Sequence, residues 1–185
     1  MTDRIDIKSK TIEELKELLI QWGEKPFRAG QVFGWLHEKR VSSFEEMTNV
    51  SKILREKMAE DCKLVSVTEI DRLESVDGTK KFLFELADGQ AIESVLMKYH
   101  HGNSVCISSQ AGCRMGCKFC ASTLGGLIRN LTASEMLEQI YAIERITGEN
   151  VSNVVVMGTG EPMDNYDNFV RFVRILSAKE GKNIS

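Results

Sequence analysis

Cys113, Cys117 and Cys120 fall within the eight residues "CRMGCKFC", spaced C-x3-C-x2-C. Three thiols suit neither of the commonest uses of cysteine. A disulfide takes two, and a structural zinc ion takes four ligands, usually as two separated pairs. A four-iron cluster is held by roughly one thiolate per iron. Three thiolates therefore leave one iron with an open position, where a substrate or cofactor can bind directly. Gly112, Gly116, Gly125 and Gly126 around the thiols let the backbone wrap a compact group. Two other readings stand beside the cluster: a zinc ion completed by Cys106, His100 or His101, and three loop thiols that hold no metal.

The composition sets bounds on the rest. The chain has 185 residues, 42% hydrophobic and 28% charged, with a net charge of -3. That describes a soluble globular chain of one domain, or of a small domain plus part of a larger one. It excludes a strongly basic nucleic-acid binder and leaves room for a local basic patch. The start, "MTDRIDIKSK", lacks the apolar core of a signal peptide, and no run approaches the ~18 apolar residues of a membrane span. The expected compartment is the cytosol, with no membrane partner. There the five cysteines stay reduced, and a crowded subset binds metal or does chemistry.

The elements that must position the thiols can be read from local patterns. "TIEELKELLIQWG" opens with Thr11 and Glu14 at capping-box spacing, and Ile12, Leu15, Leu18, Leu19 and Trp22 share one helical face. A second helix after "EKPF" buries Ala29, Val32, Phe33 and Leu36. Ser43 and Glu46 repeat the capping box, and "SKILREKMAE" forms a third helix. From about residue 63 the period becomes two. "KLVSVTEIDRLES", "KKFLFELA" and "AIESVLMKY" read as a three-stranded antiparallel meander turning at Asp77-Gly78 and Asp88-Gly89. A fourth strand, "SVCISSQ", runs into the cysteines. A capped helix follows, "LTASEMLEQIYAIERITG", then "NVVVMG" as a buried parallel strand, then a helix over "YDNFVRFVRILSAKEG".

The fold class is thus α/β, with the thiols in the loop after a strand, at the edge where such sheets place their chemistry. Two βα units cannot close a barrel, and "KNIS" reads as the lead-in to another strand. The expectation is the front part of a longer protein.

The cysteine spacing with an aromatic, Phe119, before the last thiol resembles the signature of radical S-adenosylmethionine (SAM) proteins. "CISSQAGCRMGCKFCASTLGGLIRNLTASE" and "VVVMGTGEPMDN" narrow the likeness to the RlmN-type RNA adenine-C2 methyltransferases, of which the chain resembles the amino-terminal half. The resemblance implies three regions. Residues 1–62 would be a helical accessory domain that contacts RNA, 63–102 the meander, and 103–185 the incomplete start of a partial (βα)6 barrel.

It also implies roles. Cys113, Cys117 and Cys120 would ligate a [4Fe–4S] cluster, which binds SAM and cleaves its sulfonium to a 5′-deoxyadenosyl radical. Gly160 and Glu161 in "GTGEP" would bind SAM, the carboxylate accepting from its ammonium; read alone, "GTGEP" is a plain strand-to-helix turn. Cys106 would resolve a covalent enzyme–RNA intermediate by removing a proton and forming a disulfide; read alone, it is a buried small residue in a strand. Glu93 would be a proton acceptor, or a solvent-facing strand residue. The family's methyl-carrying cysteine matches no residue here, so the 185-residue chain is expected not to methylate RNA. Cys62 reads as a buried structural thiol.

The implied partners are 23S rRNA, tRNA and an electron donor such as flavodoxin or ferredoxin, with a monomer as the full-length state. Lys25, Arg28, Lys39 and Arg40 are candidates for phosphate contacts or for an ordinary solvated helix face. The alternatives in function are a C8-methylating relative, which "GTGEP" fits less well, and a non-catalytic zinc or RNA-binding module.

Overall fold

The computed structural model describes residues 4–100 and 102–184. The chain divides into two units: residues through Val65 together with those from Arg171 onward, and Ser66–Val170.

The first unit is helical. A two-residue strand β1 (Ile5–Asp6) precedes helices α1 (Ile12–Gln21), α2 (Arg28–His37) and α3 (Lys52–Asp61), and pairs in parallel with β2 (Cys62–Lys63). The predicted cap of α1 is present: Glu14 N–H donates to Thr11 Oγ1 at 3.4 Å, and Glu14 Oε2 accepts from Thr11 N–H at 3.0 Å. Leu15, Leu19, Val32, Phe33, Leu36, Leu54 and Met58 form the core, each side chain worth about 1.5–3 kcal/mol when taken out of water. His37 is buried in that core, and burial beside Lys8 pushes its pKa down to about 3. Residues from Arg171 onward join the same unit. Phe172 and Ile175 are buried there, and Arg171 donates to Ser9 O at 3.1 Å and pairs with the Glu14 carboxylate.

The second unit is built on a sheet. Strands β3 (Thr68–Glu74), β4 (Lys80–Glu85), β5 (Ala91–Tyr99) and β6 (Gly102–Cys106) are antiparallel neighbours, as the alternation and Asp-Gly turns predict. Between β6 and the next main strand come a separate antiparallel pair, β7 (Gln110–Gly112) with β8 (Leu127–Asn130), and helix α4 (Ala133–Thr147). Strand β9 (Val151–Val155) then adds in parallel to β6, giving the order β3-β4-β5-β6-β9. Helix α5 (Tyr166–Leu176) leads out of this unit into the helical one.

One face of the sheet, with Phe82, Phe84, Ile92, Ser94, Leu96 and Val105, is buried. Ser94 Oγ donates across to Gln139 Oε1 on α4 at 2.8 Å, so this is the face that α4 covers. The helix is buried from Ala133 to Glu144, and its carboxylates are matched. Glu138 pairs with Arg145 at 2.7 Å, Glu135 with Arg129 at 2.8 Å, and Glu144 accepts from Val151 N–H at 2.7 Å. An unmatched charge at such sites would cost several kcal/mol.

Three expectations change. "NVVVMG" does not form a buried strand: β9 ends at Val155, which is 38% exposed, because β9 is last in the sheet order with one edge unpaired among the described residues. "SVCISSQ" is interrupted after Cys106, and its last residue, Gln110, starts a different strand pair. The helix expected over "YDNFVRFVRILSAKEG" ends at Leu176; turns follow, and Ile184 N–H folds back onto Leu176 O at 3.1 Å.

Candidate cofactor site

The thiols sit on a loop between β7 and β8, a pairing too short for any periodicity to announce. Cys113 N–H donates to Gly126 O at 3.0 Å and closes the base of the loop. Only glycine fits at 112: its φ is +74°, and a Cβ there would lie 2.1 Å from Gly126 O. Within the loop Cys120 N–H donates to Cys117 O at 3.0 Å, and a 3-10 turn at Ala121–Thr123 follows. Cys113 is buried at the base, Cys120 is half-buried, and Cys117 is exposed.

Among the described residues no three Cys, His, Asp or Glu side chains meet as the ligands of a single metal ion. The donors that the loop offers are three thiols, with no carboxylate or imidazole between Cys113 and Cys120. A sulfur-only set of this kind fits an iron–sulfur cluster. For the zinc alternative, Cys106 lies on β6, His100 is exposed, and His101 falls outside the described residues.

The second loop, after β9, packs against the segment that leads into the cysteines. Gly158 N–H donates to Ile107 O at 3.0 Å, Ser109 N–H to Thr159 O at 2.9 Å, and Thr159 N–H to Ser108 Oγ at 2.9 Å. Ser108 Oγ in turn donates to Glu93 O at 2.7 Å. Gly160 has a φ of +104°, and a Cβ there would stand 2.6 Å from Gln110 Cβ, so its missing side chain serves the approach of Gln110. Glu161 caps the short 3-10 turn Pro162–Asn165, its Oε1 accepting from Met163 N–H at 3.1 Å.

Register places Glu93 and Cys106 on one face of the sheet, opposite α4. Cys106 faces Val95 across the β5–β6 pair, and Glu93 is two residues before Val95. Such diagonal neighbours lie about 7–8 Å apart. Glu93 is exposed and pairs with Lys81 at 2.5 Å. Burial pushes the Cys106 thiol above its ordinary pKa, with a Met157 N–H contact pulling the other way. Cys106 therefore rests as a neutral thiol. All five cysteines are free thiols. Cys62 is buried, and its pKa is pushed up to about 12 by burial and then by Asp61, which suits the inert role expected of it.

Of the basic residues in the helical unit, Lys39 stands 3.7 Å over the Trp35 ring and Arg28 5.0 Å from the Phe27 ring. Arg28 also donates to Gln31 Oε1 at 2.7 Å. Lys25 is exposed, and Arg40 is half-buried in a left-handed backbone conformation, φ +57°.

Several site residues escape a sequence reading. Gln110, Asn130 and Asp164 meet around one amide, and Gln139 ties α4 to Ser94 and Ser108. Their only signal is that "SSQ" and "PMDN" flank the motifs that carry the chemistry.

Comparison with known proteins agrees with this geometry. Residues 5–64 match the ribosomal RNA large subunit methyltransferase N-terminal domain family, and residues 107–185 match the radical SAM superfamily. A protein of Lachnoclostridium phytofermentans named probable dual-specificity RNA methyltransferase RlmN is 63% identical over 186 residues, covering 100% of this chain and 52% of the relative. The protein of that name from Bacillus subtilis is 52% identical, over 99% of this chain and 51% of its own length. The crystal structure of a radical SAM methyltransferase from Sphaerobacter thermophilus superposes with a TM-score of 0.88 at 40% identity, covering 98% of this chain and 54% of that one. The described residues contain no helix long and apolar enough to cross a membrane. The chain spans about half the length of the curated relatives it matches, and along essentially its whole length it is similar to the amino-terminal half of the RlmN-type radical SAM proteins.

Proposed function

We propose that the protein is the amino-terminal half of a radical SAM methyltransferase that acts on C2 of adenine in 23S rRNA and tRNA. The observation that carries this reading is the meeting of the segments that follow the parallel strands β6 and β9: one runs into the loop with three thiols, the other bears Gly160 and Glu161. Cys113, Cys117 and Cys120 would hold a [4Fe–4S] cluster, and Glu161 would accept from the ammonium of SAM. When bound, the cluster supplies the electron that cleaves SAM.

The chain's own residues do the rest. The β7–β8 base holds Cys113 while the turns beyond it leave Cys117 exposed. The hydrogen bonds that Ser108 Oγ and Gln110 Oε1 accept from Thr159 N–H and Glu161 N–H fix the second loop against the segment that leads into the first. Glu93 and Cys106 share the open face of the sheet, where a substrate proton could be received, Cys106 once it is a thiolate. On this reading the partners are the two RNAs and a one-electron donor such as flavodoxin or ferredoxin, in the cytoplasm.

Anaerobic reconstitution with iron and sulfide tests the reading. About four irons per chain are expected, together with 5′-deoxyadenosine from SAM and dithionite. Loss of that product is expected when any one of the three cysteines is replaced by Ala. One zinc and no iron, or undiminished product from Cys117→Ala, would overturn it.

A further inference from the structure

The two loops are joined by a side-chain network centred on Asp164. Gln110 is fully buried and its amide is spent in three directions. Its Nε2 donates to Asn130 Oδ1 at 2.8 Å and to Asp164 Oδ2 at 2.9 Å, and its Oε1 accepts from Glu161 N–H at 2.9 Å. The side chain of Asp164 is 13% exposed, and it takes both oxygens' worth of contact from Arg114. Arg114 Nε donates to Asp164 Oδ2 at 2.9 Å and its Nη2 to Oδ1, the two-point fork that a guanidinium makes with a carboxylate. Arg114 is the residue after Cys113. Asp164 belongs to the 3-10 turn that Glu161 caps.

This arrangement links the cysteine loop to Glu161 by a short route. Arg114 is bonded to Asp164, and Asp164 sits in the turn that Glu161 caps. Among the described residues the rest of the cysteine loop shows no comparable tie. Its other charged residue, Lys118, is exposed, and the hydrogen bonds among residues 116–126 are local turns. A cluster held by three thiols needs only the cysteine loop, whereas a cofactor touching both the cluster and Glu161 needs the two loops at a set separation.

We propose that Arg114 and Asp164 are positioning residues, which set the separation of the cysteine loop from Glu161 and thereby the affinity for SAM, without holding the cluster. The inference rests on the function proposed above and adds to it a residue pair that touches neither group. Loss of a supporting contact of this kind typically weakens binding about 10- to 100-fold.

The test uses the reconstituted chain and two readouts: iron and sulfide per chain, and the SAM concentration at which the electron paramagnetic resonance spectrum of the reduced cluster changes. Arg114→Ala and Asp164→Asn are expected to keep the parent's iron and to need about ten times more SAM. Arg114→Lys keeps the charge but loses the fork, and falls between. The double variant is expected to be no worse than the weaker-binding single one, because both remove the same fork. An unchanged SAM midpoint in both single variants overturns the proposal, as does loss of iron in both, which would make the pair a scaffold for the thiols. Failure of the underlying reading is seen separately, in the parent chain: no iron bound, or a spectrum indifferent to SAM, removes both.

Discussion

Replacing Gly160 by alanine would put a methyl group where Gln110 already stands. The added Cβ would lie 2.6 Å from Gln110 Cβ, 2.8 Å from its backbone N and 2.9 Å from Cγ, against ~3.5–4.0 Å for relaxed carbon contacts. Gln110 cannot step aside, being buried and bonded to Asn130, Asp164 and Glu161. The loop after β9 must retreat instead, by about 1 Å. That stretches the bond from Glu161 N–H to Gln110 Oε1, now 2.9 Å, and the one from Gln110 N–H to Thr159 O, now 3.2 Å. Overpacking of this kind costs about 1–3 kcal/mol. A φ of +104° adds strain for any residue with a Cβ, again about 1–3 kcal/mol. With partial relaxation, Gly160→Ala should destabilise the sheet unit by about 2–5 kcal/mol, a large share of the ~5–15 kcal/mol of an ordinary domain.

Urea unfolding followed by far-UV circular dichroism measures this, with SAM and iron both left out. For a slope of about 2 kcal/mol/M the midpoint falls by roughly 1–2.5 M. Both tryptophans, Trp22 and Trp35, lie in the helical unit, so their fluorescence follows that unit separately. Hydrogen exchange at the amides of residues 107–110 should quicken, since three of them are bonded to the β9 strand and its loop. Gly125→Ala is the control: a Cβ there meets nothing within 4 Å, and its cost should stay within about 0.5 kcal/mol. A Gly160→Ala midpoint equal to that of Gly125→Ala would refute the reasoning.

Ser108→Ala removes the donor to Glu93 O and the acceptor of Thr159 N–H, so about 1–3 kcal/mol should be lost; equal urea midpoints for parent and variant would count against it. Buried His37 is held neutral, its pKa down at about 3, so below about pH 6.5 the unfolded chain binds a proton that the native state refuses. Stability from this residue is therefore complete above pH 6.5 and declines as pH falls toward 3, by about 2 kcal/mol at pH 5. Tryptophan-monitored unfolding should show that slope in the parent and not in His37→Phe, and parallel curves would contradict it. Alkylation of the native, metal-free chain at pH 8 should label exposed Cys117 first and spare Cys62, whose pKa near 12 leaves about one thiolate in ten thousand; early labelling of Cys62 by mass spectrometry would show that its burial is overstated.

Local chemistry was enough to read the helices and hairpins. Thr11 with Glu14 and Thr132 with Glu135 form the caps their spacing announces, because a capping box closes within one turn of chain. The Asp-Gly turns and alternating strands gave the antiparallel part of the sheet for the same reason. The cysteine spacing is local as well, and it carries the likeness to the radical SAM superfamily that residues 107–185 match. What tertiary structure decided lies at long separation or in very short elements. Strands of three and four residues, β7 and β8, carry no period, yet they form the base of the cysteine loop. Nothing in "NVVVMG" states that its strand would lie at a sheet edge, half exposed; strand order decides that. Arg114 and Asp164 are 50 residues apart and look like two ordinary surface charges. Only when β6 and β9 align in parallel do their following loops meet, and a carboxylate brought out of water there needs the guanidinium and the amide that folding supplies.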